Sequence, residues 1–216
     1  KAATLAINID TLTKTVMLGK GGAANCTLLT TLLSKQGKAS CAKQDMAAAK
    51  ALVAKYTDPS ITFNYSPARS PYEDAMAQAI VGQLRTAGFT VKLVQHEYSA
   101  MTIGMVLQKL EGIVMYAIVP VFPHPNVFVQ GFITPTSITK NCMAPGTAEL
   151  AAQALAAKGP KAADAIYARL EKVSINEQYC MLPLFNVLEN WGMSTGLGGF
   201  IAPAATVVEW SRVFWK

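Results

Sequence analysis

Charge is scarce in this sequence. Only 15% of its 216 residues are Asp, Glu, Lys or Arg, against 51% hydrophobic, a balance that excludes a disordered, self-repelling chain and leaves enough apolar material for a full core. Long apolar runs are lacking too: no stretch reaches the roughly 18 to 20 residues of a membrane span, so a soluble globular chain is expected. Histidine occurs twice, at His96 and His124, which leaves little for metal or acid–base chemistry. The four cysteines, Cys26, Cys41, Cys142 and Cys180, have no Cys-x-x-Cys spacing and no neighbouring His; a zinc ribbon or a thioredoxin-like centre is therefore unsupported. The sequence starts at Lys1 without an initiator Met or a charged-then-apolar leader, as a processed chain or an excised piece would.

Other chemistries fail on spacing. Gly19-Lys20-Gly21-Gly22 lacks the phosphate-loop pattern and has no Ser or Thr after the Lys. Gly192-Met193-Ser194-Thr195-Gly196 fits the nucleophile elbow of serine hydrolases, but both histidines precede Ser194 and no helix pattern follows it. The adjacent carboxylates Glu73 and Asp74 fall in the first turn of a predicted helix, where the dipole favours negative charge. A net charge of +6 and a pI near 9.1 raise the question of nucleic acid. Lys35, Lys38, Lys43, Lys50 and Lys55, however, are spread over a polar stretch without interleaved aromatics and read as a solvated face; no nucleic-acid partner is expected.

What is present is an alternation of strand and helix signals. Leu5, Ile9, Leu12, Val16 and Met17 have helical spacing up to Gly19, and Asp45 is placed to cap an Ala-rich helix ending near Tyr56. Ile61 to Tyr65 reads as a strand. Ser70-Pro71-Tyr72-Glu73 then forms a capping box, and Tyr72, Ala75, Met76, Ala79, Ile80, Leu84 and Ala87 share one face of a helix closed by Gly88. Phe89, Val91 and Leu93 alternate as a second strand, a second helix is predicted over Ser99 to Leu110, and Ile113 to Val119 is apolar on both faces, as a central strand would be. Strand, helix, strand, helix, strand predicts an α/β unit with a mainly parallel sheet flanked by helices. After an irregular stretch at 120–146, helices are expected over about 147–157 and 160–177, then a strand over Cys180 to Leu188 and an aromatic end at Trp210, Phe214 and Trp215. No repeat or linker appears, so 1–216 is read as a single domain.

Open α/β sheets bind ligands beyond the carboxyl ends of their strands. Those ends are Tyr65 to Ser70, His96 to Tyr98, and Pro120-Val121-Phe122-Pro123-His124-Pro125-Asn126, whose prolines fix an irregular backbone. The expected pocket is aromatic and weakly charged: Tyr65, Tyr116 and Phe122, with His124, Asn126 and Arg69. No catalytic residue and no cofactor is expected. His96, Glu97 and His124 sit at strand ends and form a possible metal set, but they read more simply as polar surface or pocket residues.

The landmarks together resemble a known family. Ala3 to Asn25, with Ile9-Asp10 and its Gly-rich turn, Asp45 to Val53, the strand, helix and strand of 61–93, Phe122 to Phe128, and Leu182-Pro183-Leu184-Phe185 come in the order seen in the dipeptide, oligopeptide and nickel solute-binding proteins of ABC importers, up to Gly199-Phe200. The resemblance implies a periplasmic-binding-protein-like lobe, the second (C-terminal) of two, with the first absent, so that this chain supplies one wall of a clamp. It implies a peptide-like or other small ligand, permease subunits as partners, a periplasmic or cell-surface location, and contact with a membrane only through the permease or a lipid anchor. Where peptide binders carry an acidic residue for the ligand's amino terminus, this sequence has Val121; a buried ammonium would lack its partner there, which favours a less charged solute. A ligand-sensing or protein-interaction module reusing the lobe is the alternative. In a secreted chain an even cysteine count favours disulfides, Cys26 with Cys41 and Cys142 with Cys180 by proximity, the first worth roughly 3 kcal/mol; four buried free thiols remain the other possibility.

Overall fold

The computed structural model describes residues 1–19, 22–23, 27–28, 42–68, 70–119, 122, 124–134, 145–186, 191–203 and 208–216. Its first helical stretch is two helices, α1 (Ala2–Ala6) and α2 (Ile9–Thr15), and not one. Ile7 is extended, and Asn8 caps α2 by accepting the Thr11 N–H at 2.9 Å. The Asn8 N–H is in turn taken by Gln83 Oε1 at 2.6 Å, so a tertiary bond replaces the helical one at the break. A short strand, β1 (Gly22–Ala23), precedes α3 (Met46–Val53), which Asp45 caps through the Ala48 N–H as its sequence position predicts.

The sheet follows. Strand β2 (Ser60–Tyr65), helix α4 (Glu73–Thr86), strand β3 (Thr90–Gln95), helix α5 (Tyr98–Val106) and strand β4 (Ile113–Val114) build a parallel sheet in the order β3-β2-β4. Ser60 to Tyr65 register with Thr90 to Gln95, and Phe63 and Asn64 with Ile113 and Val114. The central strand is therefore β2, and the expected central run 113–119 is a sheet edge among the described residues, paired over two residues only. Gly112 allows this approach: its φ is +85°, and a Cβ there would fall on the Thr62 carbonyl oxygen. Helix α4 begins two residues later than its capping box predicts. Ser70 Oγ accepts the Tyr72 N–H at 3.3 Å and Ser70 O the Glu73 N–H at 3.2 Å, a tighter turn ahead of the helix proper. Ala75, expected on the buried face, is exposed, while Ala77 and Val81 are buried; Gly88, at φ +104°, ends the helix as expected.

The rest of the described chain is mainly helical: α6 (Asn126–Phe132), α7 (Thr147–Ala156) and α8 (Pro160–Glu171), which runs on into a π-helical turn over Lys172–Glu177. Short antiparallel pairs complete it. Strand β5 (Phe185–Asn186) pairs with β1, and β6 (Leu197–Gly198) with β7 (Phe214–Trp215). The predicted strand over 180–188 is thus paired only at Phe185–Asn186 among the described residues. Cys180 is disulfide-bonded; Cys26, Cys41 and Cys142, and with them the expected pairings, lie outside the described residues.

Two hydrophobic cores result. Phe63 and Tyr65 of β2 pack with Met76, Ile80 and Leu84 of α4, Leu12 of α2 and Ala49 of α3. The second core unites Phe128, Val129 and Ile133 at α6 with Ala151 and Ala154 of α7 and Tyr167 and Leu170 of α8. No helix among the described residues is long and apolar enough to cross a membrane.

Candidate functional site

Alternation along β2 sends Tyr65 and Asn64 to opposite faces of the sheet. Tyr65, expected beside the ligand, is 3% exposed in the first core, and its hydroxyl donates to Asp74 Oδ1 at 2.5 Å. That bond, then burial, raises its phenol above the ordinary value. As placed, Tyr65 serves the core and not the crevice. Asn64, absent from the expected site, is the better-connected group. It is 3% exposed; Nδ2 donates to Glu111 O at 2.8 Å and Ile113 O at 3.2 Å, and Oδ1 lies 2.8 Å from His96 Nε2. With two carbonyls facing its nitrogen, the amide cannot be flipped, so His96 Nε2 carries the proton and donates. One side chain thus ties the carboxyl ends of β2 and β3 to the start of β4.

Beyond those ends lies an aromatic wall. Tyr116 and Tyr98 stack at 5.7 Å between centroids with 12° between planes, and Phe132 stands 6.4 Å from Tyr116. The two tyrosine hydroxyls are 2.7 Å apart, and Thr102 Oγ1 is 3.2 Å from that of Tyr116. Tyr116 is half-buried and Phe122 is 63% exposed. His124 is exposed; its Nδ1 accepts the Asn126 N–H at 3.1 Å, and its ring stands edge-on to Tyr167 at 6.4 Å. Asn126 is the first residue of α6. Tyr116, His124 and Asn126 are therefore linked through α6 and the second core, whereas Tyr65 belongs to the first. Arg69 and Val121 lie outside the described residues.

Three carboxylates are engaged within the fold. Asp74 holds Tyr65, and Glu171, 1% exposed, accepts from Thr27 Oγ1 at 2.7 Å. Glu97 caps α5 through the Ala100 N–H at 2.9 Å; the Ser99 and Ala100 N–H groups hold its carboxyl below the usual range. His96 bonded to Asn64 and Glu97 bonded to a helix terminus do not converge with His124 as a ligand set, and no cluster of three or more metal-ligating side chains occurs among the described residues. Ser194 sits in an exposed turn, its Oγ accepting the Gly196 N–H at 3.3 Å, so the elbow pattern here is a turn device. Asn64, Phe132 and Tyr167 escaped the sequence reading, which named Tyr98 as a strand end but not in the expected pocket.

Comparison with known proteins agrees with this architecture. The chain superposes on the murein tripeptide binding protein MppA of Escherichia coli with a TM-score of 0.80 at 19% identity, over 99% of this chain and 44% of that one. The dipeptide binding protein of Pseudoalteromonas sp. SM9913, in complex with Met-Leu, gives 0.78 at 18% identity, over 100% and 44%. NikA of Brucella suis, in complex with Fe(III)-EDTA, gives 0.74 at 18%, over 100% and 47%. The chain thus spans less than half the length of these solved relatives, and at such identities the likeness is one of fold. No curated protein sequence matches the chain. Residues 1–140 match the family described as bacterial extracellular solute-binding proteins, family 5 Middle. With that match over more than half its length, the chain belongs to the family 5 bacterial extracellular solute-binding proteins.

Proposed function

We propose that this chain is one lobe of the substrate-binding component of an ABC importer, forming one wall of a cleft for a peptide-like or other small solute, without catalysis. The family match carries the reading. It is supported by an aromatic and neutral polar surface beyond the strand ends, built from Tyr116, Phe122, His124 and Asn126, with Val121 beside Phe122 in sequence and Arg69 in the stretch that follows β2. The single-domain assignment of 1–216, as the second lobe closing against a first, fits a chain matched end to end by less than half of each relative. An extracytoplasmic location and permease subunits as partners follow from the same reading, as do disulfides pairing Cys26 with Cys41 and Cys142 with Cys180.

A thermal-shift screen of the full-length protein against peptides, neutral sugars, amino-acid derivatives and divalent metals tests it. A solute that binds only the folded state raises the melting temperature, its stabilisation growing with the logarithm of concentration over Kd and reaching about 2.7 kcal/mol at a hundred times Kd. The expected result is a shift with at least one small solute and turnover of none. Turnover of a compound, lost on changing His96 or His124, would replace the binding protein with an enzyme.

A further inference from the structure

Residues 191–203 and 208–216 stand apart from both cores. None of them belongs to either one, and among the described residues their hydrogen bonds, ion pair and ring contact are all internal to the segment. The Lys216 N–H donates to Gly196 O at 2.8 Å, Arg212 pairs with Glu209 at 2.9 Å, and Trp191 lies 5.3 Å from Phe200. Yet the segment holds all three tryptophans of the sequence, 45–74% exposed, with Met193, Ile201 and Phe214 exposed as well. At about 150–250 Å² per ring, Trp210, Phe214 and Trp215 alone leave roughly 450 Å² of apolar surface in water. That is the scale of the largest patch on an ordinary monomer, and it marks a surface made to be covered.

The ribbon of β6 and β7 says what covers it. Leu197 pairs with Trp215 and Gly198 with Phe214, so alternation sends the two aromatic rings to opposite faces, and each ring is more than half exposed. Strands apolar on both faces belong in a sheet covered on both sides. A lipid surface would cover one face, and a second copy pairing edge to edge would widen the ribbon and leave both faces open. A layered domain fits: the ribbon's outer backbone groups, unpaired among the described residues, extend the edge of its sheet while the rings enter the layers on either side. Chain for such a domain is present in the relatives. The dipeptide binding protein compared above superposes over 100% of this chain, this segment included, and the match takes up only 44% of its own length.

We propose that this aromatic segment docks on the first lobe, its β6–β7 ribbon joining the edge of that lobe's sheet with Phe214 and Trp215 buried on opposite sides. The proposal rests on the two-lobe part of the solute-binding reading. It refines the single domain of 1–216 to a lobe plus one segment that packs on the other lobe.

Amide exchange of the full-length protein, read by mass spectrometry, tests it. A two-stranded ribbon by itself is marginally stable, so protection of its amides reports the docking. Peptides covering Leu197–Gly198 and Phe214–Lys216 should exchange at least about a hundred-fold slower than the same sequences unstructured. Phe214→Asp and Trp215→Asp should each bring that exchange to within about ten-fold of the unstructured rate, while the amides of β2 and β3 keep their wild-type protection. Unprotected exchange in the wild type overturns the proposal, whatever the variants do. So does loss of protection in only one of the two variants, the mark of a one-sided contact. Protection that appears only at concentrations where the protein dimerises, or only with vesicles of phosphatidylethanolamine and phosphatidylglycerol, overturns it in favour of a second copy or a lipid surface. Unprotected exchange in a protein that still responds to a solute in the thermal-shift screen removes the docking alone. Protection in a protein that responds to none removes the solute-binding reading and supports the docking.

Discussion

Asn64 offers the sharpest test of how the strand ends are held. Its side chain makes three hydrogen bonds, to Glu111 O, Ile113 O and His96 Nε2, from a position 3% exposed. Replacement by Leu keeps the approximate shape and removes all three, at about 1 kcal/mol each. Glu111 is exposed, Ile113 and His96 are partly exposed, and Ile113 keeps its pairing with β2, so the expected loss is that of the three bonds alone, about 3 kcal/mol. For a domain of this size that corresponds to roughly 6–12 °C in Tm. Asn64→Asp sharpens the argument: at neutral pH it sets a carboxylate against two carbonyl oxygens, so it should be less stable than the Leu variant and recover on acidification as the carboxyl protonates and can donate. Urea unfolding of both variants at neutral and acid pH reads these differences. A Leu variant within about 0.5 kcal/mol of wild type, or an Asp variant indistinguishable from it at neutral pH, would refute the reasoning.

The remaining predictions concern single bonds and one backbone position. Tyr65→Phe removes the bond to Asp74, whose exposed carboxylate recovers water, and should cost about 1 kcal/mol by urea unfolding. Because the Tyr65 pKa is raised by folding, its contribution is complete below the unfolded value of about 10 and lost as pH rises through the higher folded one. The wild type should therefore lose more stability than the Phe variant across that alkaline range, which ultraviolet titration of the phenols would follow. For Glu97 the sign is opposite: its lowered pKa gives stability above the unfolded carboxyl value of about 4.3 that disappears as pH falls through the folded one. Glu97→Ala should thus melt lower than wild type at neutral pH and converge with it in acid. Gly112→Ala, placing a Cβ on the Thr62 carbonyl at positive φ, should cost about 3 kcal/mol or more and loosen β4 first, which amide exchange at Met115 would register.

Much of the sheet was legible because its signals are local. Asp45 before an Ala-rich run, alternation at 61–65 and 89–93, and Gly88 after a helical face each depend on neighbours in sequence, and each appears where it was read. The failures are tertiary. Helical spacing across residues 1–18 cannot announce that Asn8 bonds to Gln83 and breaks the helix. An apolar run at 113–119 looks like a central strand, but its rank is set by the order of the sheet, which sequence periodicity does not encode. The site suffered similarly. Alternation makes Asn64 look like a solvent-facing polar residue, and Tyr167 in an Ala-rich helix carried no mark beyond its spacing with Leu170, Glu171 and Ser174, all buried on one face.

The two cores give the crevice a property beyond its shape. The strands and α4 consolidate around one set of side chains, while α6, α7 and α8 consolidate around another. Tyr116 against Phe132 is one of the contacts that join the chain leaving the sheet to the helices of the second set. Opening fluctuations of a folded chain follow such packing units, so the amides of β2 and β3 are expected to exchange as one group and those of α7 and α8 as another. A solute held between the strand ends and α6 would touch both groups at once. Its binding would then register as a merging of two exchange populations into one, a mechanical coupling that neither core possesses alone.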